Sequence, residues 1–139
     1  FNWGIVMAWA AMNNNLSFEI IILYISAIFW TLGYDTIYGA QDISDDEIIG
    51  LKSTAIKFKK NIRLFVSINY LVTILLILFL FKKLIGINIF SLLLLVFIFT
   101  LLYQLIVFKL NSKKNYLKLF KFNNFTGLSL FLSIISINF

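Results

Sequence analysis

Residues 64–81 and 85–108 run for 18 and 24 positions without one charged side chain apart from the connection between them. At 1.5 Å rise per residue, a helix of about 20 residues crosses the hydrocarbon core of a bilayer. A backbone in that medium must satisfy its own hydrogen bonds, so a spanning segment is a helix or part of a closed barrel. The in-and-out alternation of a barrel strand is absent from these runs. Two further apolar segments, 16–34 and 125–139, are nearly long enough to cross, and 1–12 reads as the second half of a span. The expected fold is an all-α transmembrane helical bundle, with 1–139 as a single integral membrane domain in a lipid bilayer. The opening inside apolar sequence, Trp3 to Ala11, makes the chain an expected C-terminal fragment of a longer protein. A mean hydropathy of +0.95 with 13% charged residues excludes an ordinary soluble domain.

Charge orients the spans. The connections 35–63 and 109–121 fall on one side and hold ten of the twelve basic residues, while the opposite connection holds only Lys82 and Lys83. The positive-inside rule places the first side in the cytoplasm, or in the matrix of a mitochondrion. The expected location is therefore a bacterial inner membrane or a mitochondrial inner membrane. Most of these lysines need no further role than anchoring topology. Nothing in their distribution points to nucleic acid.

Five of the six acidic residues lie between Asp35 and Glu47, at the end of the 16–34 segment. Carboxylates repel one another and resist leaving water, so a crowd of them in so apolar a chain suggests a cation. With no histidine and no cysteine, a metal here must be hard and oxygen-ligated, which points to magnesium or manganese. If the helix continues past Tyr34, then Asp35, Tyr38, Asp42, Asp45 and Asp46 share one face, with Asp42 and Asp46 in line. Such a pair can share a magnesium ion or hold one each, its shell completed by phosphate oxygens. Downstream, Lys52 is a point charge suited to phosphate, and Ser53 and Thr54 carry donors. The Gly-x-x-x-x-Gly-Lys of a Walker loop is missing. A plainer reading has the acids solvating a loop and Lys52 to Thr54 capping the next helix.

The run Tyr34-Asp-Thr-Ile-Tyr-Gly-Ala-Gln-Asp-Ile-Ser-Asp-Asp-Glu-Ile-Ile-Gly-Leu-Lys-Ser-Thr-Ala55 resembles the second aspartate-rich motif of UbiA-type membrane prenyltransferases. It is most similar to that of the 4-hydroxybenzoate polyprenyltransferases of ubiquinone synthesis. Asn2-Trp-Gly with Trp9-Ala-Ala11 is similar to the segment before the preceding loop. Leu119-Phe-Lys-Phe-Asn-Asn-Phe-Thr-Gly127 is similar to the start of the family's last helix. The likeness extends over essentially the whole chain, but only the central 22 residues are specific. It implies the C-terminal part of a nine-helix bundle with two aspartate-rich loops facing each other at the mouth of a cavity. By position it makes Asp42 and Asp46 the catalytic metal-binding pair, Asp45 an auxiliary metal-site acid and Lys52 a diphosphate contact. Asp35 and Tyr38 carry over as motif positions on the substrate-binding side.

Where many relatives have a basic residue between the first two aspartates of this motif, the chain has Ile43 and Ser44. The first motif, Asn-Asp-x-x-Asp-x-x-x-Asp, is absent, so the chain is expected to be inactive alone. The resemblance implies Mg2+-dependent transfer of a polyprenyl group from polyprenyl diphosphate to the ring of 4-hydroxybenzoate, through an allylic cation stabilised by aromatic and apolar side chains. Relatives with different second motifs serve haem, naphthoate or homogentisate acceptors, which gives another aromatic or quinone acceptor as the alternative. A non-enzymatic cation transporter with an acidic mouth is the rival from another class, and a non-catalytic half-protein is a third. A transporter would want ionisable groups deep in its spans. The polar residues there include Asn69, Gln104 and Ser133, types that more often bridge helices.

Overall fold

The computed structural model describes residues 2–108 and 113–138, all helix and connection with no strand among them. Seven α-helices run in order: α1 Trp3–Asn13, α2 Phe18–Gly39, α3 Ile43–Ile48, α4 Thr54–Lys57, α5 Ile62–Leu80, α6 Ile89–Val107 and α7 Lys113–Ile135. Helices α2, α5 (with the 3-10 turn before it) and α6 are long and apolar enough to cross a membrane. Each starts on a side-chain or turn signal. Ser17 and Asn88 accept the Ile20 and Ser91 amides at the starts of α2 and α6, and the turn Lys59–Asn61 leads into α5.

The antiparallel order of the long helices can be read from their contacts. Phe81 meets Phe90 at one end of the α5–α6 pair, and Tyr70 meets Gln104 nearer the other. Gln104 and Phe90 in turn reach Thr126 and Ser133 of α7. Helix α2 packs on α5 and α7, closing a four-helix bundle, and α1 lies against α2. The acidic end of α2 therefore shares one end of the bundle with the start of α5, the end of α6 and the start of α7.

Lipid tails are as apolar as leucine, so water exclusion cannot drive these helices together. Close packing and buried hydrogen bonds take that role. Gly33 makes room for the Tyr70 ring, which lies where a Cβ would sit. The Tyr70 hydroxyl donates to Gln104 Oε1 at 2.7 Å, and Gln104 Nε2 donates to Thr126 at 3.0 Å. One chain of hydrogen bonds thus joins α5, α6 and α7. Ser26 donates to the Thr73 carbonyl across α2 and α5 at 3.4 Å, while the Thr73 hydroxyl donates to the Asn69 carbonyl of its own helix at 2.9 Å. Gln104 and Ser133 bridge helices as the sequence suggests, whereas Asn69 donates to the Phe65 carbonyl of its own helix. Outside, Phe99, Ile106, Leu92 and Phe79 present an apolar surface, the one a bilayer covers.

The helix that carries most of the last expected apolar segment starts well before it. The apolar stretch 125–139 is the second half of α7, which begins at Lys113 and leads into a 3-10 turn at Ser136–Asn138. Its first half carries Lys118 and Lys121, both exposed. A hydropathy reading stops at such charges, although lysine has good helix propensity and continues the same helix. The segment expected to start the last helix, Leu119 to Gly127, consequently lies inside α7. Lys109 falls outside the described residues.

Candidate functional site

Helix α2 does not run on through the acidic cluster. Its last turn tightens, with Gln41 N–H donating to Tyr38 at 3.0 Å and Asp42 N–H to Gly39 at 3.3 Å. The chain then turns and restarts as α3. Asp35 and Tyr38 consequently belong to α2, and Asp42, Asp45 and Asp46 to the start of α3, so the five do not form one face of one helix. The physical reason is local: glycine at position 39 is a poor helix former, and the i→i+3 bonds close the helix there. Asp42 and Asp46 keep their one-turn relation, because the Asp46 N–H donates to the Asp42 carbonyl at 2.8 Å.

The acids differ in what already occupies them. Glu47 holds Lys59 through both oxygens, at 2.9 and 2.8 Å, and Asp45 accepts from Ser44 at 3.3 Å. Asp42 stands at the N-cap of α3 without a side-chain cap bond. Among the described residues, Asp35, Asp42 and Asp46 have no side-chain partner at all. Asp42 and Asp46 are both half-buried, while Lys52 is exposed.

After α3 the chain reverses through Gly50 at φ 73°, with Leu51 N–H bonded back to Asp46 at 2.9 Å. This left-handed close of a short helix is the conformation for which glycine is favoured. It brings Lys52 to Ala55 back onto the end of α2. There the Thr36 hydroxyl donates to the Leu32 carbonyl at 2.6 Å and lies 2.8 Å from the Thr54 hydroxyl. A hydroxyl has one proton, so Thr54 must be the donor to Thr36. Ala55 packs 3.4 Å from where a Cβ on Gly39 would be. Ser53 caps α4, accepting the Ile56 amide at 3.2 Å.

Ser53 and Thr54 carry donors suited to phosphate or else cap the next helix, and for Ser53 the structure takes the second course. Its lone pair starts α4 and Thr54's proton pins the loop, leaving Lys52 as the exposed group of the trio. Gly39, a small residue that allows close approach, is where Ala55 packs, whereas the residue types of Thr36 and Ala55 alone do not single them out. Replacing Thr54 by valine is expected to cost about 0.5–1.5 kcal/mol of stability, measured by thermal unfolding in detergent. It should also loosen the Lys52 segment, seen as faster amide exchange over 50–57.

Aromatic rings lead from the core to this end. Trp30 meets Phe97 edge-on at 5.5 Å and Tyr34 at 6.1 Å, and Tyr34 and Tyr38 both pack on Phe120 of α7. Trp30 Nε1 ties α2 to Asn123 of α7 at 3.0 Å.

No three carboxylates among the described residues come close enough to hold a metal ion together. Magnesium commonly binds proteins through one or two carboxylates and finishes its shell with waters and phosphate oxygens. Two unengaged aspartates one helical turn apart, beside an exposed lysine, fit that requirement as part of a site.

The fold, an acidic turn at one bundle end and a lysine segment pinned beside it define a membrane protein of a particular class. The sequence profile of the UbiA prenyltransferase family matches residues 1–133, and the chain belongs to that family. Among curated proteins, it is 47% identical over 68 residues to the mitochondrial 4-hydroxybenzoate polyprenyltransferase of Mus musculus, a match covering 48% of this chain and 18% of that protein. The Homo sapiens protein of the same name is 46% identical over the same shares. That of Arabidopsis thaliana is 43% identical over 67 residues, 48% of this chain and 16% of the relative. No solved structure matches.

Proposed function

We propose that this chain supplies the second acidic loop of a polyprenyltransferase that acts on 4-hydroxybenzoate in ubiquinone biosynthesis. The observation that carries the reading is the Thr54–Thr36 hydrogen bond, which holds the segment bearing Lys52 onto α2 at the same end of the bundle as two free aspartates. The likeness to the mammalian and plant enzymes supplies the substrate class. The first acidic loop and the acceptor pocket belong to residues outside this chain. The acidic end faces the cytoplasm of a bacterium, or the matrix if the membrane is the mitochondrial inner one, as the ten-to-two division of basic residues suggests.

In this reading Asp42 and Asp46 offer hard oxygens to Mg2+, and Asp45 reinforces the negative field from the next position. Bound magnesium neutralises diphosphate oxygens and stabilises the charge that develops on the leaving group. Lys52 adds a point charge to the same anion. The carbon–oxygen bond of the donor breaks, with diphosphate keeping the electron pair. The acceptor carbon next to the phenolic hydroxyl bonds to the allylic carbon, and its ring proton passes to solvent. Asp35 and Tyr38, on the last turns of α2, border the anion site. Among the described residues, the buried side chains of Tyr70, Gln104 and Thr126 are bonded to one another, which suits a scaffold better than a cation path.

The complete polypeptide carrying these residues, reconstituted in liposomes, tests this. With Mg2+, polyprenyl diphosphate and 4-hydroxybenzoate it is expected to form a prenylated ring product, and removing divalent ions with EDTA should abolish that product. Product from a different aromatic acceptor alone would select the alternative enzyme. Cation flux without transfer would select the transporter.

A further inference from the structure

On the far side of the Glu47–Lys59 pair, at the start of α5, lies an open cavity of about 440 Å³. Lys59, Lys60, Asn61 and Arg63 line its polar wall, and Leu64 and Phe108 are among its apolar lining. We propose that this cavity binds the phosphodiester headgroup of an anionic phospholipid, with Lys60 and Arg63 as the phosphate contacts.

Three features converge on that ligand. Lys59 is already engaged by Glu47, but Lys60 and Arg63 are exposed and their side chains have no anionic partner among the described residues. They stand three positions apart where the turn Lys59–Asn61 passes into α5, so both can reach one phosphate.

The second feature runs down α5 from the cavity. Leu64, Ile68, Leu71, Leu75 and Phe79 are all exposed, at 59%, 50%, 55%, 55% and 52%. Their spacing of three and four residues makes one straight apolar stripe. A free phosphate has no use for that stripe, whereas an acyl chain lies along it while its headgroup remains at the polar end.

The third is position. Arg63 is the last charge before the uncharged run 64–81, so the cavity sits where the bundle leaves the hydrocarbon and meets the headgroups. Basic pockets at such a level recognise acidic lipids. This inference does not depend on prenyl transfer, and its test reads lipid directly.

The complete polypeptide carrying these residues, purified in neutral detergent, is titrated with phosphatidylglycerol, with phosphatidylcholine of the same acyl chains, and with inorganic phosphate. Bound lipid is counted by native mass spectrometry. Phosphatidylglycerol is expected to be retained selectively. Lys60→Gln and Arg63→Gln should each weaken it about fivefold, and the two together about thirtyfold. Lys82→Gln/Lys83→Gln removes the same charge from the opposite end and should leave the affinity unchanged. Equal loss in that control would overturn the proposal in favour of diffuse charge. Equal retention of the two lipids, or displacement of phosphatidylglycerol by millimolar phosphate, would also overturn it.

Discussion

Asp42→Asn and Asp46→Asn, each made in the complete polypeptide, are expected to lower prenyl transfer by at least about a hundredfold. That is the scale seen when one preorganised group that stabilises developing charge is removed. Each change keeps the side chain's volume and deletes one formal charge. The backbone bond from Asp46 N–H to the Asp42 carbonyl, at 2.8 Å, does not involve either side chain, so α3 should survive. Membrane insertion and thermal unfolding should be close to those of the parent. Glu47→Gln is the informative neighbour. Its carboxylate is occupied by Lys59, and the pair is exposed, so its loss should alter turnover by only a few-fold. If Asp42→Asn and Asp46→Asn both retain parental rates at saturating Mg2+, these aspartates are not the metal-binding pair. If Glu47→Gln matches their loss, the division between engaged and free acids is wrong.

Gly33→Ala should be the most damaging small change in the bundle. A methyl group there overlaps the Tyr70 ring, and Tyr70 is fully buried with its hydroxyl committed to Gln104. The ring cannot swing away without breaking the chain of hydrogen bonds to α6 and α7. Overpacking of this kind costs about 1–3 kcal/mol, and loss of the Tyr70–Gln104 bond would add to it. Unfolding of the purified chain in detergent measures the effect. Tyr70→Leu should be destabilising alone, yet the double variant Gly33→Ala/Tyr70→Leu should lose less than the sum of the two. Strict additivity would mean that the glycine and the ring do not act on each other. Gly127→Ala gives a milder comparison, because its methyl would meet only the edge of Trp30 at 3.3 Å.

Most of the bundle was legible from hydropathy, since bilayer-length apolar runs admit few structures. The ends of its helices were not. Lys118 and Lys121 hid the first half of α7, because a hydropathy reading registers a charge as an end while the helical backbone is indifferent to it. The continuation of α2 past Tyr34 holds only as far as Gly39. Periodicity alone cannot register that the chain tightens into i→i+3 bonds at Gly39 and restarts a few residues later.

The candidate site divides in the same way. Residue types settled that any metal here must be held by oxygen, and the resemblance of residues 34–55 pointed to the aspartates and Lys52. Which carboxylates are free depended on tertiary neighbours: Lys59 for Glu47, and no described side chain for Asp42 or Asp46. The role of Thr54 depended on Thr36, 18 residues away, and on the direction of one proton. The sequence by itself determined that this chain lives in a membrane, as helices, with five of its six acids at one end, because the transfer free energies behind those statements belong to individual residues. Only the tertiary structure decided how that end is built. The hydrogen bonds and close contacts that build it are made by pairs of residues, and a pair exists only once the chain has folded.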